Sequence, residues 1–251
     1  MLKSLEQYRN ATEEFGQAIS GLKILIKNKN LTKFKNIHRF SVAAYDILYS
    51  FDIAAEYSID LLKLNNQWLE QKQIDKTTPI SPKYFEIHRL ELMYKALFYF
   101  LRVFQDEANR LLLGLLGSEP GPGSSMQKSL KNEQNPVTQA LNKTFPEYKD
   151  WFFELRERRN RIKSYGDFDT VFMEDDIKIR FILIDEQDEE KNNRNLEFMI
   201  SPIFFDDYFG KAITICKQLI EKIYFVIHEN IGINDKPADC LNLEAGSGMK
   251  E

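Results

Sequence analysis

The sequence predicts a mainly α-helical protein, an up-and-down helical bundle with one β-hairpin inserted before the last helix. Apolar residues recur at steps of three, four and seven along most of the chain, which is the spacing of one face of a helix. Glycine and proline are scarce, at 11 and 8 of 251 residues, whereas a many-stranded fold needs frequent turns. Apolar residues form 43% of the chain, enough to bury a sizeable core.

The helical periodicity falls into five long segments and one short one. A Ser81-Pro82 pair is typical of a helix start, and Asn135-Pro136 opens the short segment in the same way. Residues 118–125 have the composition of a loop inside a domain. The long helices are expected at about 3–28, 41–72, 81–116, 147–164 and 204–231.

The apolar pattern changes to strict alternation in two stretches after residue 175. Residues 177–183 and 196–200 each alternate in this way, and a polar segment joins them. We therefore predict an antiparallel hairpin at about 176–201 within a single domain covering 1–235. The remaining residues, 236–251, have the composition of a disordered tail.

Charge and cysteine content limit the class of protein. The net charge is −4, which excludes a generally basic nucleic-acid-coating protein but leaves room for a local basic patch. Cys216 is expected in the core and Cys240 in the tail, a pattern that fits a reducing compartment. No apolar stretch reaches the roughly 20 residues that span a bilayer. We expect a cytoplasmic protein without a membrane partner.

The helix expected at 147–164 carries an arginine where its period calls for an apolar residue. Arg159 is a permanent cation on that face, and three arrangements would resolve this. It can pair with an internal carboxylate such as Asp106 or Glu107, or bind an anion in a cleft or subunit interface. Alternatively, the helix is rotated and the arginine lies on the rim of the core. The face consists of Phe145, Tyr148, Phe152, Leu155, Arg159, Ile162 and Gly166.

The same helix end forms a concentrated basic patch. Five of the eight residues from 156 to 163 are basic and one is acidic. A favourable interaction with the helix dipole accounts for one or two of them, but five make a patch that attracts phosphates. Asn160 and Ser164 lie four residues apart and share a helix face beside the patch. The basic residues are Arg156, Arg158, Arg159, Arg161 and Lys163.

Residues 159–166 resemble the signature of the HEPN superfamily, in which an arginine and a polar residue, often asparagine, precede a histidine. Arg159 and Asn160 match the first two positions, and Ser164 stands where the histidine is expected. The resemblance implies a helical fold and a metal-independent endoribonuclease of a bacterial toxin or defence type. It also implies a homodimer formed through the motif helix, no cofactor, and an antitoxin or other defence protein as a further partner.

The resemblance assigns roles to individual residues. Arg159 would hold the scissile phosphate, Asn160 would position it, and Ser164 would occupy the place of the proton-transferring histidine. Serine does not titrate near neutral pH and is a poor general base. The chain is therefore an inactive member, a member with a variant mechanism, or an engineered inactive form. His88 is the histidine to examine as a replacement. RNA binding is assigned to Arg156, Arg158, Arg161, Lys163 and Tyr165, with Trp151 as a further base-contacting candidate.

A second interpretation assigns the helix end no role in nucleic-acid binding. In it, the chain is a non-catalytic helical interaction module or dimerisation domain. Its arginines would meet acidic surfaces such as residues 185–190 of a partner. The acidic stretch 174–190 lacks the spacing of a calcium loop, so we expect a solvated strand edge and no metal site there.

Overall fold

The computed structural model describes residues 2–28, 36–74, 84–173, 177–183, 199–200 and 208–231. Within them the protein is mainly α-helical, as predicted. The expected tail at 236–251 and the segment joining the hairpin strands lie outside the described residues. The helices are α1 (Leu2–Asn28), α2 (Asn36–Ile74), α3 (Tyr84–Leu115), α4 (Met126–Leu130), α5 (Pro136–Thr144), α6 (Tyr148–Tyr165) and α7 (Tyr208–Ile231).

Short helices α4 and α5 begin at side-chain caps. The Ser125 hydroxyl accepts a hydrogen bond from the backbone N–H of Lys128 at 3.4 Å. The Asn135 side chain accepts from the backbone N–H of Val137 at 2.9 Å, and Pro136 occupies the first turn. These caps satisfy backbone donors that a helix start leaves without partners. The Asn135-Pro136 start is thus confirmed.

The predicted hairpin is part of a three-stranded antiparallel sheet. Strands β2 (Ile177–Leu183) and β3 (Met199–Ile200) pair as expected, with Ile179 opposite Ile200. A further strand, β1 (Gly166–Phe172), pairs with β2 along its whole length. The prediction of a hairpin alone was therefore incomplete. Strand β1 begins at Gly166, which was interpreted from the sequence only as the end of a helix. Aspartate is uncommon in strands, and Asp167 and Asp169 obscured the alternation of this segment.

The contacts divide the chain into two compact units. Unit 1 comprises Met1–Thr12, Tyr49–Tyr99 and Leu155–Ile213. Unit 2 comprises Glu13–Leu48, Phe100–Glu154 and Thr214–Glu251. Each unit takes three separate segments of the chain, and the single domain expected over 1–235 stays a prediction.

Unit 1 has a core of aliphatic and aromatic side chains from several helices. Tyr94 of α3 and Leu155 of α6 are buried, and the ring of Phe98 stacks on that of Tyr208 with centroids 6.0 Å apart. Burial of these side chains supplies the main stabilising free energy of the unit. The core holds the second half of α6 in place, and with it the basic patch.

Unit 2 is organised around aromatic contacts between α1, α2 and α3. The ring of Phe104 lies 6.2 Å from that of Phe15 and 5.3 Å from that of Phe40. The Tyr224 hydroxyl of α7 donates to the backbone oxygen of Ala18 at 3.1 Å, which attaches α7 to α1. Aromatic pairs of this kind contribute beyond their buried area.

Candidate functional site

The predicted buried face of α6 is confirmed along the first half of the helix. Tyr148, Phe152 and Leu155 are all buried. Arg159, the next residue on this face, is half-buried. The face is therefore buried up to Leu155 and carries a half-buried cation at Arg159, while the side chain of Ile162 lies outside the described part of the structure.

Arg159 is held by its neighbour in the sequence. Its Nη2 donates to Oδ1 of Asn160 at 2.7 Å. The bond uses one N–H of a guanidinium that carries five, so most of its donors are directed elsewhere. Asn160 thus holds one N–H of the guanidinium.

The two carboxylates suggested as partners of Arg159 bond to other groups. Asp106 accepts from Nε of Arg102 at 3.1 Å and from the backbone N–H of Met126 at 3.0 Å. Glu107 forms an ion pair with Arg110. Among the described residues, neither carboxylate forms an ion pair with Arg159.

Arg158 lies over an aromatic ring. Its guanidinium carbon is 4.6 Å from the centroid of Tyr208, which is 9% exposed and stacks on Phe98. A cation over an aromatic face gains roughly 0.5–2 kcal/mol, depending on its burial. The first residue of α7 therefore positions a second guanidinium of the basic patch, and this contact has no local signal in the sequence.

Arg156 completes the described part of the patch. The side chain is half-buried, and its Nε is a buried donor with no hydrogen-bond partner among the described residues. A buried donor left unsatisfied costs free energy, and a guanidinium donor more than a neutral one. An anionic ligand with oxygen acceptors would satisfy this donor.

The remaining predicted residues are described only through their backbone. Arg161, Lys163, Ser164 and Tyr165 lie in the last turns of α6, and their side chains are outside the described part of the structure. The role of Ser164 at the histidine position thus stays a prediction. Trp151 is 4% exposed and lies in the core, so the expectation that it contacts a base was wrong.

His88 has a partner that the sequence analysis did not identify. Its Nδ1 lies 2.8 Å from Oε2 of Glu91, which is buried, and Oε1 of Glu91 accepts from the Thr170 hydroxyl at 3.4 Å. The signal for this pair in the sequence is its spacing, because a histidine and a glutamate three residues apart on one helix are neighbours on its surface.

The described residues include no group of three or more histidine, cysteine or acidic side chains that could hold a metal ion. The acidic stretch 174–190 is described only at 177–183. None of the described helices is long and apolar enough to cross a membrane.

The geometry around α6 consists of three guanidiniums in one unit of the protein. One is fixed by an amide, one lies over a tyrosine ring, and the third, Arg156, has a buried donor that lacks an acceptor among the described residues. Such an arrangement suits a ligand with several anionic oxygens. No protein-family model, curated protein or solved structure matches the chain.

Proposed function

We propose that the protein binds RNA through the basic patch at the end of α6, in the manner of a HEPN-like protein. The observation that carries the proposal is the clustering of three half-buried arginines, Arg156, Arg158 and Arg159, within four residues of an acidic chain. Guanidinium groups recognise phosphate through paired, charge-assisted hydrogen bonds. A concentrated patch of this kind retains polyanions even when the net charge is negative.

Within the proposal each residue has a distinct role. Arg159 holds a backbone phosphate, and Asn160 fixes the guanidinium in the orientation that does so. Arg158, stacked on Tyr208, and Arg156 hold neighbouring phosphates. Arg161, Lys163 and Tyr165 extend the contact, as the resemblance to HEPN proteins implies.

The salt dependence of RNA affinity tests this proposal. We expect the wild-type protein to retain single-stranded RNA with an affinity that falls as salt rises. Replacement of Arg156, Arg158 or Arg159 by glutamine removes one phosphate contact and lowers the slope of log affinity against log salt by about 0.7. The matched control is Arg39→Gln, which removes an exposed arginine of α2 in unit 2. Equal slopes for all four variants and the wild type would contradict the proposal.

The HEPN assignment itself has a separate test at Ser164. If α6 carries a HEPN motif whose histidine is missing, Ser164→His increases RNA cleavage in EDTA, because an imidazole then lies one helical turn from Asn160. Adding Arg159→Ala to that variant abolishes the gain. A Ser164→His protein that cuts no faster than the wild type would count against the HEPN assignment and leave RNA binding in place.

A second function, a helical interaction module, is supported by exposed apolar side chains in unit 1. Leu92 and Tyr99 of α3 are each 64% exposed, and Tyr49 and Ile53 of α2 are more than half exposed. Where exposed apolar side chains form one contiguous patch, they are typical of protein–protein contacts. Light scattering distinguishes the two functions. A dimer that resists salt, is broken by Leu92→Lys, and retains no RNA would favour the interaction module.

A further inference from the structure

Two amide side chains lie buried in unit 2, one helical turn apart on α3. Gln105 and Asn109 are four residues apart, so they are neighbours on one face of that helix. Gln105 is 3% exposed, and Asn109 has no exposed surface. Nε2 of Gln105 and both polar atoms of the Asn109 side chain have no hydrogen-bond partner among the described residues. This face of α3 therefore carries buried donors and an acceptor that neighbouring side chains do not satisfy.

The start of α6 carries two buried polar atoms of the same kind. The Tyr148 hydroxyl and Nε1 of Trp151 have no hydrogen-bond partner among the described residues, although neither side chain is more than 4% exposed. Their rings are neighbours, with centroids 6.0 Å apart. Both residues belong to unit 2, as do the two amides of α3. A phenol hydroxyl and an indole N–H usually have a partner when they are buried, so these two atoms need one.

The two helices meet where Gln105 approaches Tyr148. Burial raises the pKa of the Tyr148 hydroxyl well above its ordinary value, and nearby Cys216 and Asp106 raise it further. Gln105 acts in the opposite direction and lowers that pKa, so its amide lies close to the hydroxyl. The other indole and amide groups lie about one turn away along the same two helices. The region between α3 and α6 is thus polar, and it disfavours a negative charge.

Water is the molecule that fits these groups. A buried polar atom without a partner costs free energy, and native proteins leave few of them unsatisfied. Water accepts from N–H groups and also donates to an amide oxygen or a hydroxyl, which the mixture of atoms here requires. It is neutral, whereas an anion would meet the same unfavourable surroundings as an ionised tyrosine. It is also small enough to be enclosed by side chains that have almost no exposed surface.

We propose that unit 2 binds ordered water in its interior, held by the two amides of α3 and the two aromatic side chains at the start of α6. Five polar atoms need partners, and a buried water makes about three hydrogen bonds, so about two waters are required. Hydrogen bonds are directional, so these waters fix the rotation of α6 against α3 within the unit. RNA binding by the basic patch has no part in this inference.

Nuclear Overhauser contacts between water and the Trp151 indole proton test the site directly. The chain has two tryptophans, so labelling with ¹⁵N-tryptophan gives two indole signals, and Trp151→Phe identifies the relevant one. We expect a cross-peak with water that has the sign of direct contact with a long-lived molecule. The cross-peak is lost in Asn109→Leu, which replaces the amide by an apolar side chain of similar size. A cooperative urea transition of this variant shows that it still folds.

Two results of this measurement would overturn the proposal. An indole proton of Trp151 that is protected from solvent exchange but has no cross-peak with water lacks a bound water. An indole proton that exchanges rapidly with bulk solvent lies in an open site and not in an enclosed one.

The sign of a stability change provides a second test. Tyr148→Phe removes only the hydroxyl. If water satisfies that hydroxyl, its loss lowers the midpoint of urea unfolding. The matched reference is Tyr224→Phe in the same unit, because the Tyr224 hydroxyl donates directly to the backbone oxygen of Ala18. We expect the two midpoints to fall by similar amounts. An unchanged or higher midpoint for Tyr148→Phe would mean that its hydroxyl has no partner, and the proposal would be wrong.

A double-mutant cycle separates a shared water from a direct bond between Gln105 and Tyr148. When Tyr148→Phe and Asn109→Leu are combined, we expect a shift in the unfolding midpoint that differs from the sum of the two single shifts, because both residues hold the same waters. A direct bond to Gln105 alone would leave the Tyr148 and Asn109 shifts additive. Additive shifts would therefore contradict the proposal.

Discussion

Arg159 places a cation on the otherwise apolar face of helix α6. Tyr148, Phe152 and Leu155 bury the face up to that point, and the arginine then replaces the next apolar side chain. The structure gives this cation an amide partner, Asn160. A surface cation of ordinary type would extend into solvent, whereas this one is half-buried and fixed. The residue therefore resembles a binding group more than a solvated charge.

The bond between Asn160 and Arg159 leads to a first prediction. Asn160→Ala removes the acceptor that orients the guanidinium, and a hydrogen bond to a charged group of this exposure is worth about 1 kcal/mol. We expect RNA affinity to fall by about fivefold, measured by fluorescence anisotropy. The control, Asn142→Ala, removes an exposed amide that also bonds to a charged side chain, Glu133. Equal affinities for the two variants would refute the positioning role.

Cys216 provides a probe of unit 2. Burial raises the pKa of its thiol, so the reactive thiolate is scarce in the folded protein. In a Cys240→Ser background we expect Cys216 to react with a thiol reagent at least about 100-fold more slowly in the folded protein than in urea. Rapid labelling under native conditions would show that this part of α7 opens readily.

Asp52 carries a charge that folding disfavours. Burial raises its pKa above the ordinary 3.8, and the Glu56 carboxylate adds to this, while a hydrogen bond with Thr12 acts in the opposite direction. The folded state thus holds the proton more tightly, and the stability contribution of Asp52 is lost as pH rises above about 4.

We therefore expect Asp52→Asn to become more stable relative to the wild type as pH rises from about 4 to 7. Asp52 is partly exposed, so solvent screening limits the gain to less than about 1 kcal/mol. Urea unfolding of the two proteins across this range measures it. A difference in stability that does not change with pH, or that changes in the opposite direction, would show that burial of this carboxyl is not costly.

Single site residues can be recognised in the sequence more readily than the pairs of residues that contact one another. The period of α6 was sufficient to single out Arg159, because one helix face is a local property. The ring of Tyr208 beneath Arg158 comes from a helix that begins about fifty residues later, and Thr170 reaches Glu91 across 79 positions. Pairings of this kind depend on the packing of elements, which a single sequence does not display.

At the scale of elements, the direct passage from α6 into β1 is the feature that the sequence concealed. Gly166 correctly predicted that the helix stops before it, and the helix ends at Tyr165, one residue beyond the expected Ser164. The same glycine also begins a strand, which pairs with β2 from Gly166 opposite Leu183 to Phe172 opposite Ile177. The hairpin of β2 and β3 was predicted because its apolar alternation is strict. Strand β1 was missed because its own sequence has a weak strand propensity. It forms because pairing with β2 outweighs that weakness.

The capped start of α5 leads to a prediction about an element. Asn135→Ala removes the side-chain acceptor of the Val137 N–H and costs about 1 kcal/mol of stability. We expect the midpoint of urea unfolding to fall without a change in slope. Gln139→Ala, at an exposed position within α5, should leave the midpoint unchanged or raise it slightly. A similar fall for both variants would show that the cap is not the cause.

At the scale of the whole molecule, the two units share the helices. Helices α1, α2, α3, α6 and α7 each contribute residues to both units. Neither unit can therefore be excised as a continuous piece of chain. The periodicity of each helix was readable from the sequence, but its division between units was not, since the same apolar stripe continues across the boundary.

The candidate site lies within unit 1. The described arginines of α6, the Tyr208 ring, and the His88–Glu91 pair all belong to it. The residues of the site come from two separate segments of unit 1, Tyr49–Tyr99 and Leu155–Ile213. The site is therefore assembled only when the helices of these segments are in place. The composition predicted a local basic patch on an acidic protein, but not the residues of other elements that position it.

The proposed function requires that RNA contacts the end of α6. Photo-crosslinking of a 4-thiouridine-containing RNA, followed by identification of the modified peptides, tests it most directly. We predict crosslinks within Tyr148–Tyr165 and at the start of α7 near Tyr208, lost in a variant with Arg156, Arg158 and Arg159 replaced by glutamine. Crosslinks confined to other parts of the chain, or unchanged in that variant, would contradict the claim.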